Sequence, residues 1–429
     1  MEKKFGVNIF GYIDGEFGLG EAVRLIIKSI EKAKIPFVLL NYDTSTSHRH
    51  NDLTYINFVK ESPYLINLVL LGPTEARRVT NYFGIDLFKN KYNIFFLNWE
   101  SENFPKEYIK NLNFYDEVWT PANYCKNVVE KSCLIPVDVI CYPIETTIIE
   151  NDDEEFNNFF DSKKFNFLFI FDYNSTLERK NTLNLIEAFR NAFKKNDNTV
   201  CLTIKTSRST KFVKEKKSLI EKIGEYENIK IVEKIFDKNT LHKIIRGCDS
   251  YVSLHRSEGF GLTMAEAMYF GKPVIATGYS GNTEFMSNSN SFLVDYNICK
   301  VDSDIINYDK NTIWSNPNIN HASELLKIVK ENSVQVKKIG IEAKESILQN
   351  FSFDKIGGQI KFKLEKIFIN YKQNPYKEEL IYITSENEIL TNELKTIKKS
   401  KLIRIILNVK LYFRNRKKNR IKKKFENQK

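Results

Sequence analysis

The chain has 429 residues, 42% of them hydrophobic, which is too long for one ordinary core and normal for a globular enzyme, so two domains with additions are expected. Its net charge of +11 is concentrated: from Lys395 to Lys429 fifteen Lys or Arg face one acid, Glu426, a net +14 that leaves −3 for everything before it. The body is nearly neutral, which excludes a nucleic-acid-binding reading based on charge, because the charge belongs to one appendage. No apolar run approaches a membrane span, and the start, Met1-Glu2-Lys3-Lys4, lacks the apolar length of a signal peptide. The six cysteines, at 125, 133, 141, 201, 248 and 299, form no Cys-x-x-Cys pair. A cytosolic protein with reduced, buried thiols is expected.

Apolar strands alternate with helical segments, the pattern of parallel sheets covered by helices. The first set of strands covers 7–12, 37–41, 66–71, 94–97, 117–120 and 137–141. An acidic, Asn-rich linker over 150–164 leads to a second set at 165–171, 200–205, 229–232, 251–254, 274–276 and 291–294. The expectation is an α/β chain of two Rossmann-like domains, 1–160 and 161–355, facing across a cleft. A helix over 356–374 packing back on the body and a helical basic tail over 375–429 would follow.

The first strand runs into Gly15-Glu16-Phe17-Gly18-Leu19-Gly20-Glu21, then a helix with apolar Ala22, Leu25, Ile26 and Ile30. Glycines here let the backbone approach a phosphate at a helix start, although a plain tight turn reads the same way. Asp43 follows the second strand where a dinucleotide-binding fold places its ribose-binding acid, which leaves an NAD-dependent dehydrogenase open. The order Gly-x-x-Gly-x-Gly is nevertheless wrong for that fingerprint. Trp99 and Glu100 follow the fourth strand at its carboxyl end, where Glu100 serves the acceptor, the sugar or the structure. His48 and His50 lie in a polar segment and are not expected to be catalytic.

In the second half, Arg179 and Lys180 immediately precede a helix over 182–193. Two cations are disfavoured at that positive end unless an anion is bound, so both are read as diphosphate ligands. Lys205, ending a strand, is a third candidate, with a surface lysine as the other reading. The strand at 251–254, the loop Glu258-Gly259-Phe260-Gly261 and a helix over 262–270 beginning at Leu262 make an anion site. Glu258 and Glu266 flank it, so a ligand with phosphates and hydroxyls, such as a nucleotide sugar, can be held at both ends. A capping box from Thr263 to Glu266 is the competing structural reading of Glu266, and His255 is read as a strand-end residue beside the pocket.

Glu258, seven intervening residues and Glu266, followed by Gly271-Lys272-Pro273-Val274-Ile275-Ala276-Thr277 and Ser280-Gly281-Asn282, resembles the donor-site signature of the GT-B retaining glycosyltransferases of family 4. The match in kind and order extends over most of residues 5–350. The resemblance implies a nucleotide-sugar donor held by Gly259, Phe260, Gly261 and Leu262, with Gly18 and Gly20 facing its diphosphate. Arg179 and Lys180 would neutralise that diphosphate, Glu258 would bind sugar hydroxyls and Glu266 the ribose. Many members carry a further arginine where this chain has Asn174-Ser175, and a histidine near its Trp99-Glu100. A related group of bacterial polysaccharide transferases is similar in having Trp-Glu followed by Asp-Glu-Val-Trp, here Trp99-Glu100 and Asp116-Glu117-Val118-Trp119.

No Asp-x-Asp follows a strand where a divalent metal would bridge a diphosphate, so no metal and no tightly bound cofactor are expected; the resemblance implies retention, and with no well-placed nucleophile evident a front-face transfer is the expectation. In the tail, 376–397 carries Leu380, Ile383, Leu390 and Leu394 among charges, a helix able to pair with a second copy or pack on the body. Apolar residues over 402–413 beside the basic run 414–424 suit the surface of an anionic membrane, where a lipid-linked glycan acceptor resides. A disordered solubilising tail is the alternative. The expected protein builds bacterial surface polysaccharide at the inner face of the cell membrane; a non-catalytic nucleotide- or carbohydrate-binding scaffold remains the other class.

Overall fold

The computed structural model describes residues 4–44, 50–151, 154–301, 308 and 310–373. His48 and the expectations for the 375–429 tail lie outside the described residues.

Six parallel strands form the first sheet: β1 (Lys4–Gly11), β2 (Phe37–Asn41), β3 (Tyr64–Leu70), β4 (Tyr92–Phe96), β5 (Glu117–Thr120) and β6 (Val137–Val139), ordered β2-β1-β3-β4-β5-β6. Parallel strands are covered on both faces, which is why β3 reads Tyr-Leu-Ile-Asn-Leu-Val-Leu with only Tyr64 short of full burial. Its asparagine belongs to a ladder. Asn8 donates to Asn67 and Asn67 to Asn93, each at 2.8 Å, across register partners of β1, β3 and β4. A one-residue slip would strand these buried amides, so the ladder fixes the register.

The second sheet, also parallel, comprises β7 (Phe165–Ile170), β8 (Val200–Thr206), β9 (Ile229–Glu233), β10 (Ser250–Ser253), β11 (Val274–Thr277) and β12 (Phe292–Val294), ordered β12-β11-β10-β7-β8-β9. Phe167, Phe169, Phe189 and Phe193 fill its core with Leu202 and Ile204. In each sheet the chain order reverses beside the first strand, between β1 and β3 and between β7 and β10. Open sheets of this kind take ligands at the carboxyl ends of the strands flanking that reversal.

An antiparallel hairpin, β13 (Tyr296–Lys300) with β14 (Ile313–Pro317), was not foreseen. β13 reads Tyr-Asn-Ile-Cys-Lys and is almost wholly exposed, while β14 contains Asn and Pro, so neither carries the apolar signal of a sheet strand. The stretch expected as a plain linker over 150–164 holds a helical turn, Glu154–Asn157. It is fastened to the second domain, where Lys243 donates to the Asn151 carbonyl at 3.0 Å and Arg246 pairs with Glu150 at 2.5 Å.

After the second sheet the helix Phe353–Gln373 returns to the first domain. Gly357 meets the helix Gly18–Lys32 so closely that a Cβ there would come within 2.5 Å of the Ser29 carbonyl oxygen. Met1–Phe368 forms one compact unit and Ile369–Lys429 a second, of which only the start, to Gln373, is described. Among the described residues no helix is long and apolar enough to cross a membrane.

Candidate active site

A cleft of about 1230 Å³ opens at the carboxyl ends of both sheets. The first domain contributes Phe17, Gly18, Thr74, Trp99 and Glu100, and the second Asp172, Arg179, Lys180, Arg208, Glu258 and the loop Phe260-Gly261-Leu262.

Arg179 and Lys180 do not stand free before the helix Thr182–Ala192, as the sequence suggested; they end a separate one-turn helix, Leu177–Lys180. Thr176 caps that turn by accepting from the Arg179 N–H at 3.4 Å, and Asn181 breaks it with a left-handed φ of 55°. Both cations thus meet the carbonyl end of a turn and the Glu258 carboxylate, so their placement needs no bound anion. Their positions are set by Glu258. Lys180 bonds one carboxylate oxygen of Glu258, and Arg179 Nη1 lies 3.3 Å from the other while donating to the Ser257 carbonyl at 2.8 Å. Burial alone would raise the Glu258 carboxyl, but Lys180 and Arg179 outweigh it and hold the group at about 2. Burial depresses the Lys180 ammonium against the pull of Glu258. For Arg179 burial is outweighed by Tyr308, Glu258 and Glu100, and its pKa rises.

The loop over these residues is built on close backbone approach. Gly261 has φ 97° and caps the helix Leu262–Tyr269 with no side chain, so Thr263 is inside the helix and the capping box with Glu266 is not formed. Thr263 instead accepts from the Tyr251 hydroxyl at 2.8 Å. Gly281 packs so tightly on Gly259 that a Cβ would stand 2.2 Å from the Gly259 oxygen. Phe260 is buried between Tyr142 and Phe285.

Across the cleft, the Gly15–Gly20 loop is held by Arg24, which donates to the Ile13 and Gly15 carbonyls at 2.9 and 2.8 Å and pairs with Glu21 and Asp52. Gly18 faces open space, with no atom within 4 Å of a Cβ built there, whereas a Cβ on Gly20 would strike the Gly15 oxygen at 2.1 Å. Trp99 packs edge-on to Phe104 and Tyr108 and donates to the Asn103 carbonyl at 3.1 Å. Glu100 accepts from the Tyr308 hydroxyl at 2.7 Å and lies 3.9 Å from Arg179 Nε, an atom with no hydrogen-bond partner among the described residues.

Three candidates lie apart from this cluster. Glu266 borders an adjoining cavity of about 10 Å³ with Glu21, Lys238 and His242, and Leu262 lines both this space and the cleft. Lys205 does not line the cleft and is not a surface lysine: it is buried near Phe236, and burial, opposed by Asp172, lowers it to about 8. His255 is fully buried, tying Ser253 to the Tyr279 carbonyl and Asn282, and burial lowers its pKa. Away from the cleft, Asp43 accepts from Tyr82 at 2.5 Å and His50 meets Asp14 at 2.7 Å.

Residues 151–307 match the family described as glycosyl transferases group 1, a stretch that includes Arg179, Lys180, Glu258 and Glu266. That match spans the whole second sheet. The chain's fold is similar to that of HepE from Anabaena, solved with UDP and glucose, at 13% identity over 85% of this chain and 100% of that one, TM-score 0.59. Sucrose-phosphate synthase from Thermosynechococcus elongatus gives 12% identity over 86% and 100%, TM-score 0.61. A variant of S. aureus TarM, solved with fondaparinux, alpha-GlcNAc-glycerol and UDP, gives 18% identity over 71% of this chain, TM-score 0.50; this chain spans 56% of its length. The shared architecture is GT-B, two parallel-sheet α/β domains. No curated protein sequence matches the chain.

Several cleft residues carried no sequence signal. Tyr308 arrives from a point between the hairpin strands, 208 residues from its partner Glu100. Arg208, with a left-handed φ of 66°, bonds Asp172 and donates to the Glu16 carbonyl across the cleft at 3.2 Å. The Asn174 N–H donates to the other oxygen of the same Asp172 carboxylate at 2.9 Å. Among the described residues no group of three His, Cys, Asp or Glu gathers as a metal site would.

Proposed function

We propose that the enzyme moves a sugar, with retention at the anomeric carbon, from a nucleoside-diphosphate sugar to a lipid-linked glycan acceptor in bacterial surface polysaccharide synthesis, as a family 4 transferase. The observation that carries this reading is the Lys180–Glu258–Arg179 cluster at the β7/β10 reversal, facing the helix that starts at Gly18. A diphosphate between them would meet cations on one side and open backbone N–H groups on the other. HepE was also solved with UDP-glucose, which supports a donor of this class.

Each side chain then has a task. Glu258, ionised at neutral pH, accepts hydrogen bonds from sugar hydroxyls and has no proton to give. Lys180, with Arg179 and Arg208 behind it, offsets the charge that grows on the diphosphate as the bond from C1 to its oxygen breaks. The acceptor hydroxyl oxygen bonds to C1 on the same face, and its proton passes to the departing phosphate oxygen. Trp99 and Glu100 form the acceptor side, Gly259 to Leu262 the donor floor, and Glu266 binds the ribose. The +14 tail would hold the enzyme at an anionic membrane surface, and its 376–397 segment is the candidate for pairing two copies.

Product configuration, read by NMR coupling constants in the first turnovers, tests the mechanism. An unchanged anomeric configuration and turnover that survives EDTA are expected. Inversion would overturn the front-face step, and loss on chelation restored by magnesium or manganese would overturn neutralisation by side chains and helix alone.

A further inference from the structure

The helix Lys238–Gly247 places His242 directly beside Glu266, and nothing in the donor-site reading uses it. His242 is 3% exposed, with Nε2 at 3.3 Å from Glu266 Oε1 and Nδ1 at 2.7 Å from Thr146 Oγ1. An ionised carboxylate only accepts, so Nε2 must carry the proton it shares with Glu266. In the neutral ring Nδ1 is then an acceptor, and the Thr146 hydroxyl donates to it. Thr146 lies between β6 and β7, in the segment that joins the two sheets, and its own carbonyl accepts from the Tyr269 hydroxyl at 3.1 Å. Thr146, His242 and Glu266 therefore form one directed chain of hydrogen bonds from the interdomain segment to the carboxylate.

That chain leaves Glu266 half occupied. Oε1 takes the His242 bond, and no other hydrogen bond to the carboxylate is made among the described residues. A ribose 2′,3′-diol needs a carboxylate presented with a fixed plane, so that both hydroxyls can donate at once. The Glu266 side chain has several staggered rotamers that would turn that plane, and the imidazole bond selects among them. Lys238 and Glu21, paired at 2.5 Å across the domains, wall the same small cavity.

We propose that His242 is a positioning residue that orients Glu266 toward the ribose diol and, through Thr146, couples that orientation to the segment joining the domains. The proposal rests on the reading that Glu266 binds the ribose, and binding alone separates the two. UDP, ADP and GDP are each titrated by calorimetry against their 2′,3′-dideoxy counterparts, with the melting temperature of every variant recorded. Wild type should favour the ribonucleotide of the accepted base. His242→Ala should weaken that ribonucleotide about tenfold and leave the dideoxy compound unaffected, the scale of one hydrogen bond to a charged group. His242→Gln, which returns an N–H donor to the same reach, should restore most of the preference, and Thr146→Val should lose part of it while Thr146→Ser keeps it. Glu266→Ala combined with His242→Ala should be no worse than Glu266→Ala alone. If Glu266→Ala abolishes the preference but His242→Ala does not, His242 has no positioning role and the ribose reading stands. If Glu266→Ala keeps the preference, or none of the three ribonucleotides binds, the ribose reading falls and this proposal with it. Equal weakening of ribo and dideoxy compounds with a lowered melting temperature would reduce His242 to packing, and a His242→Gln variant that fails to recover the preference would contradict the proposal even if His242→Ala does not fold.

Discussion

Glu258 is the residue through which the cleft's charges are connected, bonding Lys180 and lying 3.3 Å from Arg179 while buried. Its folded value of about 2 lies below the ordinary 4.5, so the group contributes stability that is fully present above about pH 4.5. That contribution is lost as pH falls from about 4.5 through about 2, because the folded state must then take up a proton it resists. Glu258→Gln should lack this acid-sensitive component. Urea unfolding across a pH series should show the stability gap between wild type and the variant narrowing below about pH 4.5; a gap constant with pH would contradict the assignment. Glu258 was legible in the sequence as an acid in the glycine loop after a strand, and Arg179 and Lys180 as adjacent cations before a helix, because local chemistry singles them out. Tyr308, Arg208 and His242 were not, since their significance comes from partners on distant segments that only folding brings near. Lys205 was legible as a strand-end cation, but its burial beside Phe236 was not, because that depends on the neighbouring strand.

Among the elements, the glycine loops separate packing from ligand contact. A Cβ at Gly281 would stand 2.2 Å from the Gly259 oxygen and 2.7 Å from the Phe260 nitrogen, both backbone atoms that cannot swing aside. Gly281→Ala should therefore cost about 1–3 kcal/mol of stability, seen as a lower melting temperature, and displace the loop carrying Glu258. Gly18→Ala meets nothing within 4 Å and replaces a helix-start glycine, so its melting temperature should equal or slightly exceed that of wild type. If the diphosphate approaches that helix start, the same methyl group should weaken donor binding in a titration; unaltered affinity would place the phosphates elsewhere. The twelve sheet strands were legible to within three residues at their ends because double-sided burial writes continuous apolar runs. The β13–β14 hairpin was invisible because β13 is exposed and β14 mixes polar residues with a proline, and the one-turn helix Leu177–Lys180 because a four-residue turn has no periodicity to detect.

On the scale of the molecule, the sequence divides its charge sharply, with a body of −3 and a segment from Lys395 onward of +14. Such a body gains little from anionic lipid, whereas each basic residue reaching the surface is worth roughly 1 kcal/mol, screened over a Debye length. Truncation after Pro375 should abolish sedimentation with anionic vesicles and leave transfer to a soluble acceptor analogue intact, because every cleft residue precedes the cut. Equal partitioning of the two forms would assign the tail to another task, with pairing through 376–397 the next to test. The two-domain plan was legible from alternating strands and helices, while the return of the helix Phe353–Gln373 to the first domain was legible only as an expectation of packing, its seat on Ser29 being a matter of backbone approach. The central claim is that a nucleotide sugar occupies the cleft against Lys180. Thermal unfolding of wild type and Lys180→Ala in the presence of a panel of nucleoside-diphosphate sugars, with NAD as the contrasting ligand, tests it most directly. At least one nucleotide sugar should raise the wild-type melting temperature in proportion to the logarithm of its concentration, with the shift much reduced in Lys180→Ala and none from NAD. Stabilisation by NAD alone, or a nucleotide-sugar shift undiminished in Lys180→Ala, would contradict it.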